Sequence, residues 1–139
     1  MCSSDLFAEG ATCTVEVYPQ YSAGLADLEG FSHVILFYWF HKSSGYSLTC
    51  RPFLDTQERG IFATRAPRRP NPIGFSIVEL LKIENHVLTV GSIDIIDQTP
   101  LLDIKPYVAE FDVRAQARSG WYENAQNKSQ TVADKRFTR

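Results

Sequence analysis

The sequence predicts a single, mainly β domain: roughly six strands in a small barrel or curled sheet, with short helical turns. Three observations predict it. Strand-sized runs of β-branched and aromatic residues recur at 11–18, 33–40, 74–83 and 87–96. Turn-forming segments, such as LDTQERG (54–60) and ENH (84–86), separate such runs. The eight glycines contain no GxG pair, so the dinucleotide fingerprint and the phosphate loop of doubly wound folds are both absent.

Each element follows in order. Residues 1–10 carry no structural pattern. ATCTVEVY (11–18) alternates like a half-buried strand. In SAGLADLEG (22–30) a serine cap candidate, the Leu25/Leu28 pair and a closing Gly30 fit one or two helical turns. HVILFYWF (33–40) is continuously apolar, the pattern of a strand buried on both faces. YSLTCRPF (46–53) reads as another strand, and after the polar loop an apolar run restarts at IFAT (61–64). GFSIVELLKI (74–83) and VLTVGSIDII (87–96) make a hairpin, although ELLKI alone also suits a helix. Past Pro100, LLDIKPYV is extended. SGWYENAQ reads as a short helix or docking segment, and the remainder as a disordered, solvated tail. The domain therefore covers 1–115 and the tail 116–139.

A chain of 139 residues, 44% hydrophobic and 22% charged, supports one soluble core. Its net charge of −2 means that RNA would have to be met by a local patch. Cys2, Cys13 and Cys50 are odd in number and form no CxxC pair, against a disulfide framework or structural zinc. No apolar run is long enough for a bilayer, and the N-terminus lacks a secretory pattern. The expected setting is a reducing cytoplasm, with no membrane and no metal.

Three constellations carry candidate chemistry. In FATRAPRRPNPIG (62–74), three prolines hold Ala66, Arg69 and Asn71 extended, so Arg65, Arg68 and Arg69 ride on a stiff frame as planar donors. A rigid crossover with weak surface ion pairs is the plain alternative for any single arginine. His33 and His41 end an aromatic run, with Lys42 adjacent; Phe37, Tyr38, Trp39 and Phe40 are most simply core, and one or two of them suit stacking on a planar ring. Asp94, Asp97 and Asp103 fall on a short span with Lys105 and Tyr107. Asp97 either caps a turn or serves as a base beside a ligand.

Taken together, LEGFSHVILFYWFHK (28–42), RPF (51–53), GIFATRAPRRPNPIGFSIVEL (60–80) and GSIDIIDQTPLLDIKPYV (91–108) closely resemble the TsaA-like family, whose characterised bacterial members are the TrmO tRNA methyltransferases. The likeness runs from about residue 9 to 115. It implies a small β-barrel, usually a homodimer, that binds S-adenosyl-L-methionine and methylates N6 of threonylcarbamoyladenosine next to the anticodon of tRNA. The family's cofactor pocket corresponds to His41, Lys42, Arg65, Phe75, Asp94, Ile95, Ile96 and Asp97. By position, Asp97 is the candidate general base. Arg68, Arg69 and Asn71, with Lys105 and Tyr107, are the candidate substrate and RNA contacts. The family commonly has glycine where Gln98 stands, so that turn must accommodate a side chain. Two other readings stay open: a non-catalytic cofactor- or RNA-binding module, and a methyltransferase of a small molecule or another RNA.

Overall fold

A computed structural model describes residues 12–53, 55–91 and 97–126. In chain order the strands are β1 (Thr12–Glu16), β2 (His33–Trp39), β3 (Thr49–Cys50), β4 (Arg59–Gly60), β5 (Ile73–Glu84), β6 (Val87–Gly91) and β7 (Leu101–Pro106). Five of them form one antiparallel sheet in the order β1-β6-β5-β2-β7, and β3 pairs with β4 in a small ribbon.

Alternation builds the core. Cys13 and Val15 of β1, Val34 and Leu36 of β2, and Leu88 and Val90 of β6 are fully buried on one face. Leu25, on a 3-10 turn over Pro19–Leu25, closes over the same cluster. β5 and β6 form the expected hairpin. Asn85 at its turn takes φ +56°, a conformation asparagine tolerates better than most residues. The helical look of ELLKI also has a physical explanation. Leu80 and Ile83 stand three apart and both pack on the core, because a bulge between Leu80 and Lys82 shifts the register.

Several expectations need correction. β2 is not buried on both faces: Val34, Leu36 and Tyr38 are buried, while His33, Ile35, Phe37 and Trp39 alternate with them and remain partly open. On that second face Trp39 and, from β5, Ile73, Phe75 and Ile77 are exposed. The sheet has two edges, β1 and β7, and among the described residues it does not close into a barrel. The strand expected over 46–53 shrinks to the two residues of β3, and the IFAT run becomes a 3-10 turn over Ile61–Ala63. Cys13 is disulfide-bonded, against the reading of the cysteines, and Cys50 is a free thiol.

Beyond β7, a single helical turn, α1 (Ala109–Asp112), was not anticipated; the Asp112 carboxylate accepts the N–H of Val108 at 2.8 Å. The SGWYENAQ segment supplies α2 (Trp121–Gln126), and the Trp121 indole N–H donates to the Ala63 carbonyl at 2.8 Å. That bond docks the start of the tail onto the turn that leads into the arginine–proline segment.

Candidate functional site

Three chain segments meet at the C-terminal end of β2. The Phe40 N–H donates to the Pro72 carbonyl at 2.7 Å, and the Trp39 N–H to the Pro100 carbonyl at 3.0 Å. The approach to β5 and the turn before β7 are therefore held on either side of β2. The turn that follows β2 is tied in as well: the Ser43 hydroxyl donates to the Pro67 carbonyl at 3.2 Å, and the Ser47 N–H to the Arg68 carbonyl at 3.3 Å.

A hollow of about 220 Å³ opens at this junction. Tyr38, Phe40 and Gly74 form its floor. The two rings meet edge to face, 5.6 Å between centroids, and the Tyr38 hydroxyl is satisfied by Ser76 Oγ at 2.8 Å. Gly74 sits so close beneath them that a Cβ there would stand 2.6 Å from Phe40 Cζ and 2.9 Å from Tyr38 Cζ. Only glycine leaves room for both rings. Thr64, Arg65 and Arg69 line one wall, and Ile73 and Phe75 the other. The Arg65 guanidinium lies 4.8 Å from the centroid of the Phe75 ring, across the hollow's edge.

The three arginines have separate roles. Arg69 turns inward, its Nη1 donating to the carbonyls of Thr64 at 2.8 Å and Ala66 at 3.1 Å, so it staples the loop that carries it. Arg65 is exposed on Phe75, and Arg68 is exposed on the surface of the segment. Asn71 uses its backbone carbonyl to accept the Ile73 N–H at 2.7 Å. Upstream, the Arg59 guanidinium beside Asp55, with the N–H groups of Thr56 and Gln57, holds the Asp55 carboxyl below its ordinary value. This pair braces the loop before β4 and lies away from the hollow's lining.

Of the residues singled out from sequence, Arg65, Arg69 and Phe75 come together in the lining of the hollow, with Tyr38 and Phe40 of the aromatic run. His41 and Lys42 occupy the turn after β2, beside the site but outside its lining. Asp97 is exposed at a turn whose next residue, Gln98, takes φ +69°, and it does not line the hollow. Asp94, Ile95 and Ile96 lie outside the described residues. Lys105 stands opposite Ile35, and the Tyr107 N–H donates to the His33 carbonyl at 3.1 Å, at the far end of β2. That end is about 20 Å from the hollow, the length of a seven-residue strand. Sequence reasoning did not single out Thr64, Ile73 or Gly74. A glycine inside a strand pattern was the available signal for Gly74.

Chemically, the hollow combines aromatic walls with a planar cation at its rim, suited to a flat ring carrying an anionic arm. It is smaller than the roughly 300–1,000 Å³ that drug-sized ligands occupy, so it accepts part of such a ligand. Among the described residues no cluster of His, Cys, Asp and Glu is suited to a metal, and no helix is long and apolar enough to cross a membrane.

Comparison with known proteins narrows the chemistry. The family model of the tRNA-methyltransferase O N-terminal domain matches residues 4–113. A Pyrococcus abyssi protein described as a probable S-adenosyl-L-methionine-binding protein is 50% identical over 121 residues, 87% of this chain and 66% of that one. The human tRNA (adenine(37)-N6)-methyltransferase is 43% identical over 97 residues, 68% of this chain and 22% of its own length. The crystal structure of TrmO from Pseudomonas aeruginosa superposes with a TM-score of 0.67 at 40% identity, covering 86% of this chain and 56% of that one. This chain thus spans only part of the length of each of these relatives.

Proposed function

This chain belongs to the tRNA-methyltransferase O N-terminal domain family, and from that premise we propose that it binds S-adenosyl-L-methionine at the end of β2 and methylates N6 of threonylcarbamoyladenosine beside the anticodon of tRNA. The observation that carries the reading is the Arg65 guanidinium resting on Phe75 at the mouth of an aromatic hollow. The relatives described as S-adenosyl-L-methionine-binding and as tRNA methyltransferases support the same chemistry.

The residues present fit the cofactor. Arg65 offers paired N–H donors to the methionyl carboxylate, and the rings of Phe75 and Phe40 suit the adenine. The cofactor, when bound, supplies an electrophilic methyl on sulfur. The protein's task is then alignment, which a proline-stiffened loop and strand ends perform better than a mobile one. The accepting nitrogen is conjugated and weakly nucleophilic, so removal of its proton helps. Asp97, exposed three residues before Pro100, is the proposed base. Arg68 and Arg69, with Asn71 on the same segment, are the proposed contacts to phosphate or the threonyl carboxylate.

The hollow's small volume calls for further walls. His41, Lys42 and the 94–97 segment are the proposed intramolecular ones. Ile73 and Phe75 line the hollow and also belong to the open apolar face of the sheet. A second copy seated there would complete the pocket, which supports a homodimer. Closure into the expected barrel would bring together β1 and β7, the edge strands among the described residues.

Calorimetry with S-adenosyl-L-methionine tests the reading. The chain is expected to bind saturably, and Arg65→Ala to weaken binding about tenfold or more, the worth of a charge-assisted pair. No binding by a dimeric sample would remove the proposal. A second reading, a non-catalytic binding module, is favoured by the position of Asp97 outside the lining. Tight cofactor binding with no radiolabelled methyl reaching any tRNA pool would select it.

A further inference from the structure

Phe62 is 77% exposed, the highest value among the large hydrophobic residues described. Exposure alone means little for a single residue, but the backbone around this one is unusually fixed. Ile61, its neighbour, is 2% exposed, and the Ile61 N–H donates to the Leu48 carbonyl at 2.9 Å. On the other side the Thr64 N–H and hydroxyl both donate to the Ile61 carbonyl, at 3.1 and 3.0 Å. The Ala63 carbonyl accepts the Trp121 indole N–H. A turn pinned at 61, 63 and 64 thus presents an aromatic ring to solvent. Such a ring has already lost most of its backbone freedom, so a partner that covers it pays little ordering entropy.

The surroundings select the partner. The Arg69 guanidinium lies 5.9 Å from the Phe62 centroid, held there by its bonds to Thr64 and Ala66. Arg65 and Arg68 follow on the same segment, both exposed, in a chain whose net charge is −2. A flat apolar face beside a concentrated cationic strip matches an unpaired base on a polyanionic strand.

We propose that Phe62 is a stacking platform for an unpaired nucleobase of the RNA substrate, flanking the adenosine delivered to the hollow. The inference rests on the tRNA reading above and adds a base-binding subsite to it.

Fluorescence anisotropy of a labelled anticodon stem-loop RNA, titrated with the full chain at two salt concentrations, tests it. Phe62→Ala is expected to weaken RNA binding about fivefold to a hundredfold. It should leave the salt slope unchanged, because a lost stack releases no counterions, whereas Arg68→Ala should reduce the slope by about one. Phe62→Trp should bind at least as well as the parent. Calorimetry with S-adenosyl-L-methionine should show no change for either Phe62 variant. Equal RNA affinity of Phe62→Ala and the parent would overturn the inference and leave the tRNA reading standing. A change in sedimentation on Phe62→Ala would overturn it too, by assigning the ring to a protein contact. A parent that binds the cofactor but no RNA would remove both.

Discussion

The two faces of the β2–β5 pair are both apolar, and they differ in what covers them. Toward the core, Val34 opposes Val78, Leu36 opposes Ser76 and Tyr38 opposes Gly74, and none of the apolar members is more than 6% exposed. On the other face Ile35 opposes Ile77, Phe37 opposes Phe75 and Trp39 opposes Ile73. There Trp39 is 38% open, Phe75 40%, Ile73 45% and Ile77 49%. The rings of Phe37 and Phe75 stack at 6.3 Å. The inner face is apolar because folding requires it. Among the described residues nothing accounts for the outer face in the same way, and an open apolar face of this kind is the surface on which the proposed pairing can be tested.

That contrast can be broken at three levels. Leu36→Ala, on the fully buried side, is expected to lower unfolding free energy by about 2–5 kcal/mol in urea titration. A loss under about 1 kcal/mol would show that the inner face is not the core. Gly74→Ala puts a methyl against Tyr38 and Phe40, costing about 1–3 kcal/mol. It should also weaken cofactor binding, because the floor of the hollow must shift. Unchanged stability would mean that the two rings yield freely and that the floor is not preshaped. Ile77→Lys, on the open side, should change the stability of the folded monomer by less than about 1 kcal/mol. Its effect is expected in association, with analytical ultracentrifugation showing dimer converted to monomer. A dimer that persists would place the interface elsewhere.

How far the sequence carried the structure depends on whether the deciding contacts are local. Alternation located β1, a continuous apolar run located β2, and the Asn85 turn of the β5–β6 hairpin followed from residues adjacent in the chain. The fate of HVILFYWF did not. A continuous apolar run states that both sides of a strand avoid water, and leaves open whether the second side is covered by this chain or by something else. IFAT was visible only as an apolar run for a similar reason: the turn over Ile61–Ala63 has Ile61 anchored to Leu48 and Ala63 to Trp121, contacts distant in sequence. In the site, the arginines were visible as a motif, but their division of labour was not, because the bonds of Arg69 to Thr64 and Ala66 depend on how the loop curls. The hollow's floor is a matter of register. Gly74 has to lie opposite Tyr38, and no reading of either segment alone states that.

The carbonyls of Pro100 and Pro72, which receive the N–H groups of Trp39 at the end of β2 and of Phe40 just beyond it, belong to residues that have no N–H to return. At those two positions no N–H returns a bond to the β2 segment, so the pairing there is one-sided on each flank. Beside the hollow the end of β2 thus meets acceptors alone on both flanks, an asymmetry written into the covalent chain.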